Sequence, residues 1–256
     1  MIRSGLCSVT FRQLEPARVA VLAADAGLEV IEWGGDVHVP PGDTARAEQV
    51  ARVTVDAGLA VASYGSYFRA TKGEEITPVL DAAQALGADR VRVWAGRLGS
   101  ADASDAEKQG IADRLRDAAS AASDRGISLA LEFHGGTLTD SAATTLQLLA
   151  DVDHPALSTY WQPRVDAQDA DALADYAALR DRVSAVHVFS WWPAAERLRL
   201  AEHDDLWRRF FASVSETAQP PRDALLEFVP DDDPALLAEE AATLRSWIDA
   251  AARLGA

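Results

Sequence analysis

A closed (β/α)8 barrel is the fold class this sequence predicts, on three observations. Eight short β-rich runs alternate with eight longer stretches rich in Ala, Leu and charge within 256 residues, a rhythm and length that suit a parallel barrel wrapped in helices. The runs are apolar at nearly every position, as parallel strands covered on both faces should be. The stretch after the first run, SVTFRQLEPAR, lacks the Gly-rich turn that usually announces an open doubly wound sheet. No linker or low-complexity segment interrupts residues 1–256, so one domain is expected.

In chain order the strands are expected to begin near residues 2, 28, 59, 89, 127, 157, 184 and 224. They read IRSGLCSV, LEVIEW, LAVASY, DRVRVWA, ISLALEF, ALSTYW, SAVHVFS and ALLEFV. Between them, helix signals recur. Over 105–125, Ile111, Leu115, Ala118 and Ala122 fall on one face at three- and four-residue spacing. Gly27, Gly58, Gly87 and Gly126 sit where a left-handed residue would stop the preceding helix. Helix starts are marked by Asp43 and Thr44, by Ser104 and Asp105, and by Asp233 before Pro234. The longest irregular pieces, 34–42 and 190–203, follow strands, where a barrel keeps its functional loops.

Composition narrows the function classes. With 40 acidic against 24 basic side chains the net charge is -16, which repels the phosphate backbone of nucleic acids. No segment approaches the roughly 18 uninterrupted apolar residues of a membrane span, and the N-terminal MIRSGLCSVTF does not read as a signal peptide. Cys7 is alone, so no intramolecular disulfide can form, and a cytoplasmic location is expected.

In a barrel, catalytic groups sit at the C-terminal ends of the strands. Those ends are rich here. Strand two closes on Glu32 and Trp33 and runs on to Asp36 and His38; strand three closes on Tyr64, with Tyr67 and Arg69 beyond. Strand four ends in Trp94, and strand five in Glu132, Phe133 and His134. Strand six ends in Tyr160, Trp161 and Gln162 with Arg164 close by; strand seven supplies His187, then Trp191 and Trp192, and strand eight Glu227. Five of the seven tryptophans thus fall at one rim, while Trp207 and Trp247 fall on helices. Rings gathered at a rim suit a pocket that stacks on the C–H faces of a sugar or cyclitol. Trp33, His38, Tyr64, Trp94, His134, Trp161, Arg164 and Trp191 are the expected substrate contacts.

Glu132, Gln162, His187 and Glu227 stand at matching depth on four consecutive strands. Two carboxylates, an amide and an imidazole buried together would be costly without a partner, and a divalent cation is the economical one. Each residue taken singly has a plainer reading: a strand Glu can pair with an Arg such as Arg92, and a lone His can be a satisfied core residue.

These segments resemble the xylose isomerase-like TIM barrels, the sugar isomerase and epimerase branch related to endonuclease IV. The resemblance is carried by EWGGDVHVP after strand two, LALEFHGG on strand five, VHVFSW on strand seven and LLEFV on strand eight. It implies one bound divalent cation held by Glu132, Gln162, His187 and Glu227, with Mn2+ expected first and Mg2+, Co2+ or Zn2+ as alternatives. It also implies a homodimer. The chain departs from the family at Gln162, where an Asp is usual, so the ligands carry one negative charge fewer. It departs again at Val165 and Pro193, where the ketose 3-epimerases carry a substrate-binding His and an Arg. The acidic PDDDP after strand eight argues against phosphate recognition.

The expected chemistry is proton abstraction beside a carbonyl by Glu132 or Glu227, giving an enediolate of an unphosphorylated sugar or cyclitol. Reprotonation makes the protein an isomerase or epimerase. Loss of a β-hydroxyl would instead make it a lyase of the inosose or dehydroshikimate dehydratase type, or one that cleaves a C-glycosidic bond. A non-catalytic sugar-binding barrel is a further alternative. A repair endonuclease would need more clustered ligands and a basic face than five histidines and a charge of -16 provide.

Overall fold

The computed structural model describes residues 2–165, 167–191, 196–215 and 221–254. Its strands are β1 (Arg3–Cys7), β2 (Val30–Gly34), β3 (Ala60–Gly65), β4 (Arg90–Val93), β5 (Ser128–Leu131), β6 (Leu157–Trp161), β7 (Val183–Val188) and β8 (Asp223–Leu226). The helices between and after them are α1 (Pro16–Asp25), α2 (Thr44–Asp56), α3 (Thr77–Leu86), α4 (Asp105–Ser123), α5 (Ala142–Val152), α6 (Asp169–Leu179), α7 (Asp204–Ser215) and α8 (Leu237–Leu254). All strand pairs are parallel, and β1 pairs with β8 from Arg3↔Asp223 to Leu6↔Leu226. That last pairing closes the (β/α)8 barrel.

Local chemistry sets the helix ends. The Asp43 carboxylate accepts the Arg46 N–H at the start of α2, and Ser104 and Glu107 form a reciprocal cap at the start of α4. Gly87 ends α3 with φ +77°, a conformation that would strain a residue bearing Cβ. On α4, Ile111, Leu115, Ala118 and Ala122 are all buried, as their spacing predicts. Among the described residues no helix is long and apolar enough to cross a membrane.

Successive strand residues point alternately into the barrel and out to the helices. The outward set forms the main core, where Trp161 stacks on Phe210 at 4.9 Å and Trp207 on Trp247 at 6.3 Å. The inward set is smaller: Cys7, Val9, Val30, Ala62, Ala130, Ala185 and Leu225 surround Tyr160. Tyr160 fills the middle of the barrel, its ring 5.0 Å from the Arg90 guanidinium and 5.2 Å from the His187 ring. Charge lies on both sides of this apolar waist.

Candidate metal centre

The four expected donors do come together at the C-terminal mouth. His187 lies inside β7, and Glu132, Gln162 and Glu227 immediately follow β5, β6 and β8. Donor atoms of Glu132, His187 and Glu227 lie within 4.8 Å of one another. His187 Nδ1 is 2.8 Å from Gln162 Oε1 and 3.4 Å from Glu227 Oε2, so the amide oxygen joins the same group. After Glu227 the chain turns sharply: Phe228 is left-handed at φ +62°, and its N–H donates to Thr10 Oγ1 at 2.9 Å. A residue with Cβ held there is under strain, and here it terminates β8 beside the donors.

Two inward residues outside the expected set complete the centre. Glu32, on β2 where the register with β3 shifts, accepts from Ser63 Oγ at 2.7 Å and Arg92 Nε at 3.0 Å. The same Glu32 oxygen that takes Arg92 lies 3.5 Å from His187 Nε2. Arg92, on β4, also donates through Nη1 to Glu132 Oε2. The plainer reading of Glu132 as an arginine partner is therefore met, but in a site that also holds the other donors. Strand parity in LEVIEW and RVRVW could reveal both residues, since each is a charged inward position between outward apolar ones.

The charges do not balance. Three carboxylates (Glu32, Glu132 and Glu227) face one guanidinium, and all four residues are buried. Burial works against the charge of Glu32, yet Arg92, His187 and Ser63 hold its carboxyl well below the ordinary range. Glu227 goes the other way: burial, reinforced by Glu132 and Glu32, raises it despite His187 and Arg92. For His187 burial disfavours the charge, but Glu227, Glu32 and Glu132 together outweigh it and the imidazole is raised as well. Both residues are pushed toward their protonated forms by burial amid surplus negative charge, which is the condition a divalent cation relieves. The residues thus fit the cation. Glu132, Gln162, His187 and Glu227 would hold it, and Glu32, 3.5 Å from His187 Nε2, is placed to orient the imidazole from its other side. A second cluster, Cys7, Glu32 and His187, shares the imidazole, but its Glu32 is already committed to Arg92 and Ser63.

The donors open into a cavity of about 440 Å³. Of the expected substrate contacts, Trp94, His134, Arg164 and Trp191 line it. Trp94 stacks with Tyr67 at 6.2 Å and tilts against His134 at 4.7 Å, while the Arg69 guanidinium lies over the Trp94 ring at 4.1 Å. His134 Nδ1 donates to the Gly135 carbonyl at 2.6 Å, which leaves Nε2 for a ligand. Arg12, Tyr67, Phe189 and Phe228 also line the cavity and lie outside the expected contacts.

Four expected contacts face the wrong way. Trp33 is outward on β2 and donates to Thr54 Oγ1 on α2 at 3.0 Å. Tyr64 is outward on β3 and donates to the Val39 carbonyl at 2.7 Å. Trp161 is outward on β6, within the aromatic core around Phe210. His38 is buried with both nitrogens engaged, by Ser8 Oγ at 2.9 Å and the Leu14 carbonyl at 3.0 Å. Pleat parity decides the three aromatics: each is next to an inward residue, so it must point to the helices. Trp192 and Pro193 lie outside the described residues.

Comparisons with known proteins agree with this architecture. The family model described as xylose isomerase-like TIM barrel matches residues 20–247. A 3-dehydroshikimate dehydratase from Bacillus anthracis is 26% identical over 225 residues, covering 80% of this chain and 78% of that protein. The crystal structure of a probable 3-DHS dehydratase involved in petrobactin synthesis, also from Bacillus anthracis, superposes with a TM-score of 0.79 at 22% identity, covering 96% and 99% of the two chains. An L-ribulose 3-epimerase structure gives 0.75 at 16% identity, covering 99% and 96%.

Proposed function

We propose that this chain, which belongs to the xylose isomerase-like TIM barrel family, removes a proton beside the carbonyl of a small polyol that carries a carboxylate, and expels a β-hydroxyl as water. The observation that carries this reading is the cavity lining. In a chain of net charge -16, three guanidinium groups (Arg12, Arg92 and Arg164) face one cavity beside the donor cluster. A neutral sugar offers those forks single hydroxyl acceptors, whereas a carboxylate matches them with two charged oxygens, even though Arg12, Arg92 and Arg164 already touch Asp36, Glu32 with Glu132, and Asp175. The similarity to a 3-dehydroshikimate dehydratase supports the same choice.

Each side chain has a task. Trp94 and Tyr67 offer ring faces to the substrate ring and shield it from water. Glu227 is the better-placed base: among the described residues no guanidinium is bonded to it, whereas Glu132 is tied to Arg92. The C–H proton passes to Glu227, and His134, entering the cycle as an imidazolium whose Nδ1–H stays on the Gly135 carbonyl, gives its Nε2 proton to the departing hydroxyl, which leaves as water. When bound by Glu132, Gln162, His187 and Glu227, a divalent cation such as Mn2+ supplies the Lewis acidity that sharpens the C–H acidity.

Isomerisation or epimerisation is the second reading, and the observation favouring it is that two carboxylates, Glu132 and Glu227, flank the same point and could serve opposite faces of one carbon. The test is turnover with Mn2+ in deuterated water across keto-polyols with and without a carboxylate. Elimination, seen as growth of conjugated enone or aromatic absorbance and confined to the carboxylated members, is the expected result. Deuterium uptake without elimination would transfer the chain to the epimerases, and preference for neutral ketoses would remove the role given to the guanidinium groups.

A further inference from the structure

Arg92 is shared between two tasks that cannot both be met with one partner. It is 2% exposed, yet it lines the cavity. Its Nε is fixed to Glu32, and Glu32 is held in turn by Ser63, so that end of the guanidinium is a pivot. Its Nη1 takes Glu132, whose carboxylate is also one of the donors gathered for the cation. The fork has room because residue 65 is glycine: a Cβ there would come within 2.8 Å of Arg92 Nη2 and within 2.8 Å of Glu32 Oε1. The rings of Tyr67 and Trp94 flank it at 5.9 and 6.0 Å.

A guanidinium and a divalent cation on one carboxylate repel each other and divide its charge, so each weakens the hold of the other. A carboxylate ligand in the cavity changes the balance. It offers Arg92 a new partner within reach of the same pivot, using donors of the fork that Glu32 does not take, and it releases Glu132. We infer that Arg92 is a specificity-determining residue that transfers from Glu132 to the carboxylate of a bound ligand, so that organic anion and divalent cation bind cooperatively. A neutral ligand of the same shape does not release Glu132. Selection for the acid is thereby made at the step of cation binding as well as by direct contact. This inference rests on the reading of the cavity as a carboxylate site.

Mn2+ affinity measured by titration calorimetry tests it, on the wild type and Arg92→Met, alone and with saturating benzoate, with benzyl alcohol as the uncharged control. In the wild type benzoate is expected to tighten Mn2+ binding about tenfold, within the usual span of linkage between two sites, and benzyl alcohol to change it less than about twofold. Arg92→Met, freed of the competing cation, is expected to bind Mn2+ about tenfold more tightly without ligand and to lose the benzoate effect. Arg92→Gln repeats the test with a neutral hydrogen-bonding side chain should the Met variant not fold. The inference is overturned if a folded variant binds Mn2+ no more tightly than the wild type, or keeps the benzoate effect. Turnover on the substrate panel separates the two readings. Coupling without elimination sinks only the dehydratase proposal, and elimination without coupling sinks only the role of Arg92.

Discussion

Arg90 and Arg92 leave the same strand two residues apart and enter opposite ends of the barrel, where they meet opposite electrostatic conditions. At the N-terminal end three guanidinium groups surround one carboxylate: Asp223 receives Arg3 at 2.7 Å, Arg90 at 2.5 Å and Arg222 at 3.2 Å. Arg222 also pairs with Asp89 at 2.8 Å. In the donor cluster at the C-terminal end one guanidinium, Arg92, faces three carboxylates. The lower cluster ties the first and last strands together and needs no further ion. The upper cluster lacks positive charge, and Glu227 and His187 are both raised as a result. A larger depression of about 880 Å³ opens beside the lower cluster, yet among the described residues it holds no converging group of carboxylate and imidazole donors. Surplus negative charge, rather than cavity size, separates the chemical end from the structural one.

The contrast can be broken at either end. Asp223→Ala should cost the most stability, roughly 3–5 kcal/mol in urea unfolding, because it strands buried guanidinium charge. A loss below about 1 kcal/mol would mean that the lower cluster is not a structural tie. Glu227→Gln should leave unfolding stability intact or slightly improved without added ion, since it removes a carboxylate that already resists ionisation. The same change should reduce turnover at least about 100-fold. Equal damage to folding and turnover would erase the distinction between the ends.

A smaller effect is expected from pH. His187 is raised in the folded protein, so it binds its proton more tightly there than in the unfolded chain. Its stabilising contribution is complete below the ordinary histidine value and is lost as pH rises through the folded value. Without divalent ions, stability should therefore decline as pH rises above the ordinary histidine value. Added Mn2+ should reverse the decline, and His187→Gln should flatten it. Thermal unfolding at several pH values measures this. The smallest effect belongs to Trp33→Phe, which removes the bond to Thr54 for about 1 kcal/mol and leaves KM unchanged. A raised KM there would return Trp33 to the cavity.

Much of the fold is legible in the sequence. Alternation of β-rich and helical stretches, with Gly27, Gly58, Gly87 and Gly126 at the junctions, places the strands within about three residues of where they lie, because each junction glycine adopts the positive φ its place requires. The donors are legible too, since a polar residue at the end of an otherwise apolar parallel strand is costly to bury there unless a partner meets it. Trp33, Tyr64 and Trp161 are misplaced by a reading that weighs proximity to a strand end and ignores which face of the strand each residue takes. Arg12 leaves no such trace in the sequence. It reaches the cavity from the loop after β1, steadied by Asp36 and Tyr67, and that meeting exists only once the first three strands have paired.

Tyr160 and its ring of small apolar neighbours act as a septum across the barrel axis. The fully buried Tyr160 ring stands between the two charged clusters. Whatever enters the upper chamber must leave by the door it came through, so a departing product and the next arrival contend for a single opening.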